Sequence, residues 1–126
     1  QIIDLSREIL CTQWASALMD IVYDFVRASE HGSPPFPIPE MHFVWVALAI
    51  ESKESTDRRV FMLEERVDRR EQGEWRKYIN NNSATPLAST MSSPELQNTA
   101  EFLVFCQHVQ HLKTKGLAYI SDFQGT

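Results

Sequence analysis

The sequence predicts a single α+β domain, and three patterns support that prediction. Hydrophobic residues recur at helical spacing near the start of the chain, two strand-like runs follow around a polar turn, and a second helical stretch precedes the last residues. With 126 residues, of which 43% are hydrophobic, the chain is long enough to bury one core. We therefore expect an antiparallel sheet packed against helices.

The first element is a long amphipathic helix from Leu5 to Ala28, whose apolar residues recur at helical spacing with charges mostly between them. The segment HGSPPFPIP, residues 31–39, should end this helix. Proline lacks an amide donor and disfavours helix in the residue before it.

The next two elements form a predicted β-hairpin. The runs HFVWVALAIES, residues 42–52, and RRVFMLEERV, residues 58–67, are rich in β-branched and aromatic residues, and the polar KESTD separates them.

A second helix and a last strand complete the prediction. The segment from Lys77 to Glu95 has the Asn, Ser, Thr and Pro content of a loop. Ser92 or Ser93, before Pro94, offers a helix start, and Gly116 offers the helix end. The final hydrophobic run LAYISDF, residues 117–123, predicts a strand.

Composition disfavours two classes of partner and suggests a location. A net charge of -5 argues against nucleic acids and anionic membranes, which usually bind through excess Lys and Arg. The longest apolar run, Phe43–Ile50, is far shorter than the roughly 20 residues of a membrane helix. The N-terminus lacks signal-peptide features and looks cut from something longer. Two cysteines without a CxxC pattern favour a reduced, cytoplasmic setting.

Asp122 and Gln124 are candidate metal ligands. They lie two residues apart, so on an extended backbone their side chains would share one face. Carboxylate and amide oxygens suit Mg²⁺, which prefers few protein ligands together with phosphate oxygens and water. The same residues also occur in ordinary turns, and these residues alone leave both interpretations open.

Two other groups of residues are ambiguous on their own. His108 and His111 lie three residues apart on the second helix and could share a metal, although a helical histidine is more often a packed or surface residue. Glu64 and Glu65 end a strand-like run, where acidic residues are usually solvated. The alternative is a hinge whose backbone and carboxylate pair with a purine edge.

The order of the motifs is more specific than any one of them. VFMLEERV, then WRKYINNNSATPL, then FLVFCQHVQHLKTKGLAYISDFQGT resembles the core of the atypical alpha-kinase family, and especially its fungal alpha-kinase-like domains. The resemblance is strongest over residues 102–126 and weakest over residues 1–40. It implies a kinase-like α+β fold, with the N-lobe helix and the strands up to the hinge in residues 1–70. The start of the C-lobe would occupy residues 71–126.

The resemblance also implies a function and the residues that serve it. The family transfers the γ-phosphate of ATP to Ser or Thr of a protein substrate. Asp122 and Gln124 match the family's pair of Mg²⁺ ligands, and Glu64 matches the hinge glutamate that meets adenine. The backbone near Arg66 and Val67 would lie beside the adenine.

Three further residues take weaker roles from the resemblance. Lys77 would lie near the nucleotide cleft, and His108 matches one ligand of the family's structural zinc. Trp14 would anchor the N-lobe helix in the core.

The chain also departs from the family pattern. It has no match to the upstream lysine that grips the phosphates, and Ala84 stands where the family often has glycine. The catalytic aspartate and the remaining zinc ligands are expected beyond Thr126, so Zn²⁺ would bind only in a longer chain. The chain by itself is therefore expected to be inactive. The alternative function is a noncatalytic, kinase-like interaction module.

Overall fold

The computed structural model of the protein describes residues 2–30, 32, 34, 36–52 and 58–126. Its helices and strands mix α and β structure, as the sequence predicts. In chain order they are α1 (Ile2–Arg27), β1 (Val46–Ile50), β2 (Val60–Glu64), α2 (Arg69–Gln72), β3 (Arg76–Lys77), a 3₁₀ helix (Ala88–Ser92), α3 (Pro94–Lys113) and β4 (Gln124–Gly125).

The long N-terminal helix is confirmed, but its predicted anchor is not. α1 packs against α3 and against both strands of the hairpin, and it buries Leu18, Met19 and Val22. Trp14 is 63% exposed, so its assignment as a core anchor is wrong. The buried residues all lie in the C-terminal half of α1.

α1 is also long and apolar enough to span a bilayer. Core helices of soluble proteins and signal sequences meet the same criterion, so this property does not by itself locate the chain.

The predicted hairpin is confirmed. β1 and β2 pair antiparallel, with Val46 opposite Glu64 and Ile50 opposite Val60. The turn predicted at residues 53–57 lies outside the described residues. One face of the hairpin is solvent-exposed and apolar, because Phe61 and Leu63 are 48% and 57% exposed.

The second predicted helix is α3, and it begins and ends close to the predicted positions. The Ser93 side chain accepts a hydrogen bond from the Leu96 N–H, and Pro94 opens the helix. After Lys113, Gly116 takes a φ of 80°, and its N–H donates to the His111 carbonyl at 2.7 Å. The buried face of α3 supplies half of the main core cluster. That cluster comprises Met19, Val22, Tyr78, Ile79, Ala100, Phe102, Leu103, Cys106, Val109 and Phe123.

The strand predicted at residues 117–123 does not form, and only Gln124–Gly125 pairs as β4. Side chains of α3 bind the backbone of this segment instead. Gln110 Oε1 accepts from the Ile120 N–H at 2.9 Å, and Gln107 Nε2 donates to the Ile120 carbonyl at 2.9 Å. Thr114 Oγ1 bonds both backbone groups of Ala118. With these groups satisfied by side chains, Ala118 and Ile120 need no partner strand.

Candidate functional site

A cleft of about 300 Å³ lies where the entry to the hairpin, the exit from it and the end of the chain meet. Residues distant in sequence face it from α1, α3 and the connecting segments. Its lining comprises Met19, Glu40, Met41, His42, Phe43, Val44, Glu65, Val67, Gln72, Trp75, Tyr78, Thr99, Leu103, Phe123, Gln124, Gly125 and Thr126.

Tyr23 of α1 fixes the segment that forms one wall. Its hydroxyl donates to the Pro39 carbonyl at 2.8 Å and accepts from the Met41 N–H at 3.0 Å. Burial is the largest influence on this phenol, and it raises the pKa of Tyr23. Further along the segment, the Phe43 ring stacks on Phe123, with centroids 6.5 Å apart. The wall is therefore attached both to α1 and to the end of the chain.

Glu65 supplies a carboxylate at the exit from β2. Its Oε2 accepts from the Trp45 N–H at 3.0 Å, and its own N–H donates to the Trp45 carbonyl at 2.8 Å. His42 Nε2 lies 3.1 Å from Oε2 and 3.3 Å from Oε1. The hydrogen bond from the Trp45 N–H is the largest influence on Glu65 and lowers its pKa, and His42 also lowers it, because both favour the charged form.

The predicted hinge residues separate in the structure. Val67 lines the cleft, whereas Glu64 is exposed on β2 opposite Val46, and Arg66 is exposed outside the lining. The carboxylate that faces the cleft here is Glu65 rather than Glu64.

The predicted metal pair also separates. Asp122 has a φ of 60°, which breaks the extended backbone on which the shared face of Asp122 and Gln124 depended, so that geometric prediction is wrong. Aspartate tolerates this left-handed conformation better than most residues. Gln124 lines the cleft, while Asp122 does not.

Asp122 forms an ion pair with Lys77. The Lys77 Nζ lies 2.6 Å from Asp122 Oδ1, and each side chain is about two-fifths exposed. Oδ1 itself is shielded from solvent and makes no conventional hydrogen bond, so the ammonium is its neutralising contact among the described residues. Because Lys77 lies opposite Gln124 across the β3–β4 pair, this ion pair adjoins the cleft.

A scan of protein-family models, a search of curated proteins and a search of solved structures each found no match.

The part of the chain that the structure describes places no further zinc ligands around His108. His108 is exposed on α3, and no group of three or more His, Cys, Asp or Glu residues there could hold a metal. Cys106 is buried in the core, and its burial raises the pKa of the thiol to about 12, which disfavours the thiolate that a metal requires. The described residues therefore do not fit a zinc ion.

A second, larger groove of about 900 Å³ lies between the C-terminal ends of α1 and α3 and the proline-rich segment. Its walls include Phe25, Phe36, Phe105 and Lys113, and the Lys113 ammonium lies 4.9 Å from the centroid of the Phe25 ring. None of the predicted site residues lines this groove.

The sequence-based prediction named neither His42 nor Trp75, which line the cleft, and it named Glu64 rather than Glu65. The hairpin register contains the signal that identifies Glu65, since pairing Val46 with Glu64 places Trp45 opposite Glu65. No local motif marks His42, which reaches Glu65 only because the hairpin folds.

Proposed function

We propose that this chain is the nucleotide-binding part of an alpha-type protein serine/threonine kinase domain and that ATP binds in the cleft. The observation that carries the proposal is the convergence of two segments. The exit from β2, with Glu65 and Val67, and the chain end, with Gln124 and Gly125, line the same cleft. These are the segments that the family resemblance assigns to adenine and to the metal-bound phosphates.

The cleft has the chemistry of a purine site. Glu65 presents a carboxylate to accept from a base amino group, and Phe43 and Trp75 supply flat apolar surface. Its volume lies at the lower end of the range for small-molecule sites, about 300–1,000 Å³. The base would occupy the cleft and the phosphates would extend towards the Lys77–Asp122 pair.

Of the predicted metal pair, Asp122 is the residue that would hold Mg²⁺ on the phosphates, since the two side chains separate in the structure. The fit rests on Asp122 Oδ1, a shielded carboxylate oxygen that already has a cation as its partner. When bound, Mg²⁺ would neutralise phosphate charge. Asp122 would then exchange the Lys77 ammonium for the metal, and Lys77 would be free to contact a phosphate oxygen.

Thermal unfolding with and without Mg-ATP tests this proposal. A ligand at about 100 times its dissociation constant stabilises the folded state by roughly 2.7 kcal/mol, so the melting temperature should rise. Glu65→Gln should reduce the rise, and Asp122→Ala should remove its magnesium-dependent part. Glu64→Gln is the matched control, because Glu64 lies outside the cleft. No rise at millimolar nucleotide would contradict the proposal.

The second candidate function is a noncatalytic, kinase-like interaction module. The exposed apolar face of the hairpin favours it, since Trp45 is 73% exposed beside Phe61 and Leu63, and such patches often mark binding surfaces. The sequence of a longer chain separates the two functions, because the chain by itself is expected to be inactive. The kinase requires a phosphate-gripping lysine upstream of α1 and a catalytic aspartate after Thr126, and the absence of both would favour the noncatalytic module.

A further inference from the structure

No sequence motif predicts the contact between His42 and Glu65, yet it occupies one of the carboxylates that line the cleft. His42 Nε2 lies within 3.3 Å of both carboxylate oxygens, so it stands where an incoming amino group would donate. Oε2 also accepts from the Trp45 N–H, which leaves Oε1 as the oxygen with more free acceptor capacity. The His42 side chain is 61% exposed, and it can turn away from Glu65 into solvent.

We propose that His42 is a proton-operated positioning residue: when protonated it holds Glu65 and competes with the bound base, and when neutral it releases Glu65 to the base. This inference rests on the nucleotide-binding function proposed above.

Two physical arguments give the direction of the effect. A protonated imidazole forms a charge-assisted hydrogen bond to a carboxylate, which is stronger than the bond from neutral imidazole. Because folding lowers the pKa of Glu65, this side chain stays a carboxylate as the pH falls through the range in which histidine ordinarily gains its charge. Base binding should therefore weaken as the pH falls.

Other titratable groups also line the cleft. Glu40 lies on the same segment as His42, and Tyr78 faces the cleft from beyond β3. A pH profile alone would not identify the group responsible. A His42→Gln variant does so, because glutamine keeps a donor for Glu65 but does not titrate.

Adenosine is the appropriate probe, because it has no phosphate, and phosphate monoesters take up a proton near about pH 6. Its dissociation constant for the full chain would be measured by NMR titration at pH 5.5 and pH 7.5, with the amide spectrum verifying the fold at both. For the wild-type chain we expect binding to be about two- to fivefold weaker at pH 5.5, the scale of an exposed ion pair.

The variants determine the outcome. His42→Gln should bind adenosine equally at both pH values, whereas His111→Gln, which removes an exposed histidine outside the cleft, should keep the wild-type profile. Glu65→Gln should weaken binding at pH 7.5 and abolish the pH dependence, and Glu64→Gln should do neither.

Binding that is independent of pH in the wild type, or a pH dependence that persists in His42→Gln, would overturn the role of His42 and leave nucleotide binding intact. Adenosine binding at neither pH would contradict the nucleotide proposal and the role of His42 with it.

Discussion

Single polar side chains of α3 fix the position of the chain end, and through it one wall of the cleft. Gln110 is fully buried, and its amide bonds the Ile120 N–H on one side and contacts the Met19 sulfur on the other. Gln107 bonds the Ile120 carbonyl from the next turn of the helix. These bonds hold the segment whose continuation carries Asp122 and Gln124.

Gln110→Leu should destabilise the fold. Leucine fills a similar volume but leaves the Ile120 N–H without its acceptor, and a buried unsatisfied group costs about 1–3 kcal/mol. Urea denaturation would measure the loss. The control is Gln97→Leu on the exposed side of the same helix, which should change stability by less than about 0.5 kcal/mol. Equal effects of the two substitutions would contradict this account of the chain end.

The two cysteines should differ sharply in reactivity. Cys11 is exposed, whereas Cys106 is buried, and burial raises the pKa of its thiol to about 12. At pH 8 a thiol reagent such as Ellman's reagent should label Cys11 quickly and reach Cys106 only after unfolding. Fast labelling of both thiols in the native chain would show that the core around α3 is not closed.

The Cys106 thiol also affects the pH dependence of stability. Because folding favours the neutral thiol, Cys106 contributes stability that is lost as the pH rises from about 9 towards 12.

At the scale of elements, the sequence predicts a helix or strand well where the residues of that segment alone determine its structure. The helical periodicity of α1, the β-rich runs of the hairpin and the Ser93–Pro94 start of α3 all lie within single segments, and the structure confirms them. The prediction of a last strand was wrong because side chains of α3 bond the backbone of that segment. These tertiary contacts leave no signal in the local sequence pattern. The prediction that Trp14 is a core anchor was wrong for a related reason. Periodicity shows which residues share a helix face, but it does not show whether another element covers that face at Trp14.

The end of α3 provides a test at this scale. Gly116 has a φ of 80°, and an added Cβ would lie 3.3 Å from His111 Nε2. Gly116→Ala should cost about 1–2 kcal/mol, the penalty of the left-handed conformation for a residue with a Cβ. Gly125→Ala is the matched control, because its φ is not in the left-handed range and nothing lies within 4 Å of the added atom. Equal stability of Gly116→Ala and the wild type would contradict the assigned helix end.

At the scale of the whole molecule, the site is a product of topology. The hairpin register brings Trp45 and Glu65 together, Tyr23 ties the entry segment to α1, and Phe43 stacks on Phe123. Sequence motifs identified two of the segments that line the cleft, but they did not determine which side chain of each segment faces it. At the exit from β2, the side chain that faces the cleft depends on a hydrogen bond across the hairpin, and at the chain end it depends on one left-handed residue.

The most direct test of the proposed nucleotide site is an NMR titration of the ¹⁵N-labelled chain with Mg-ATP. We predict shifts at Glu65, Val67 and Phe123–Thr126 and at the Trp75 indole, which lines the cleft, with no shift at the Trp14 indole on the exposed half of α1. Shifts confined to the larger groove around Phe25 and Phe105, or no shifts at millimolar nucleotide, would contradict the assignment of this cleft to ATP.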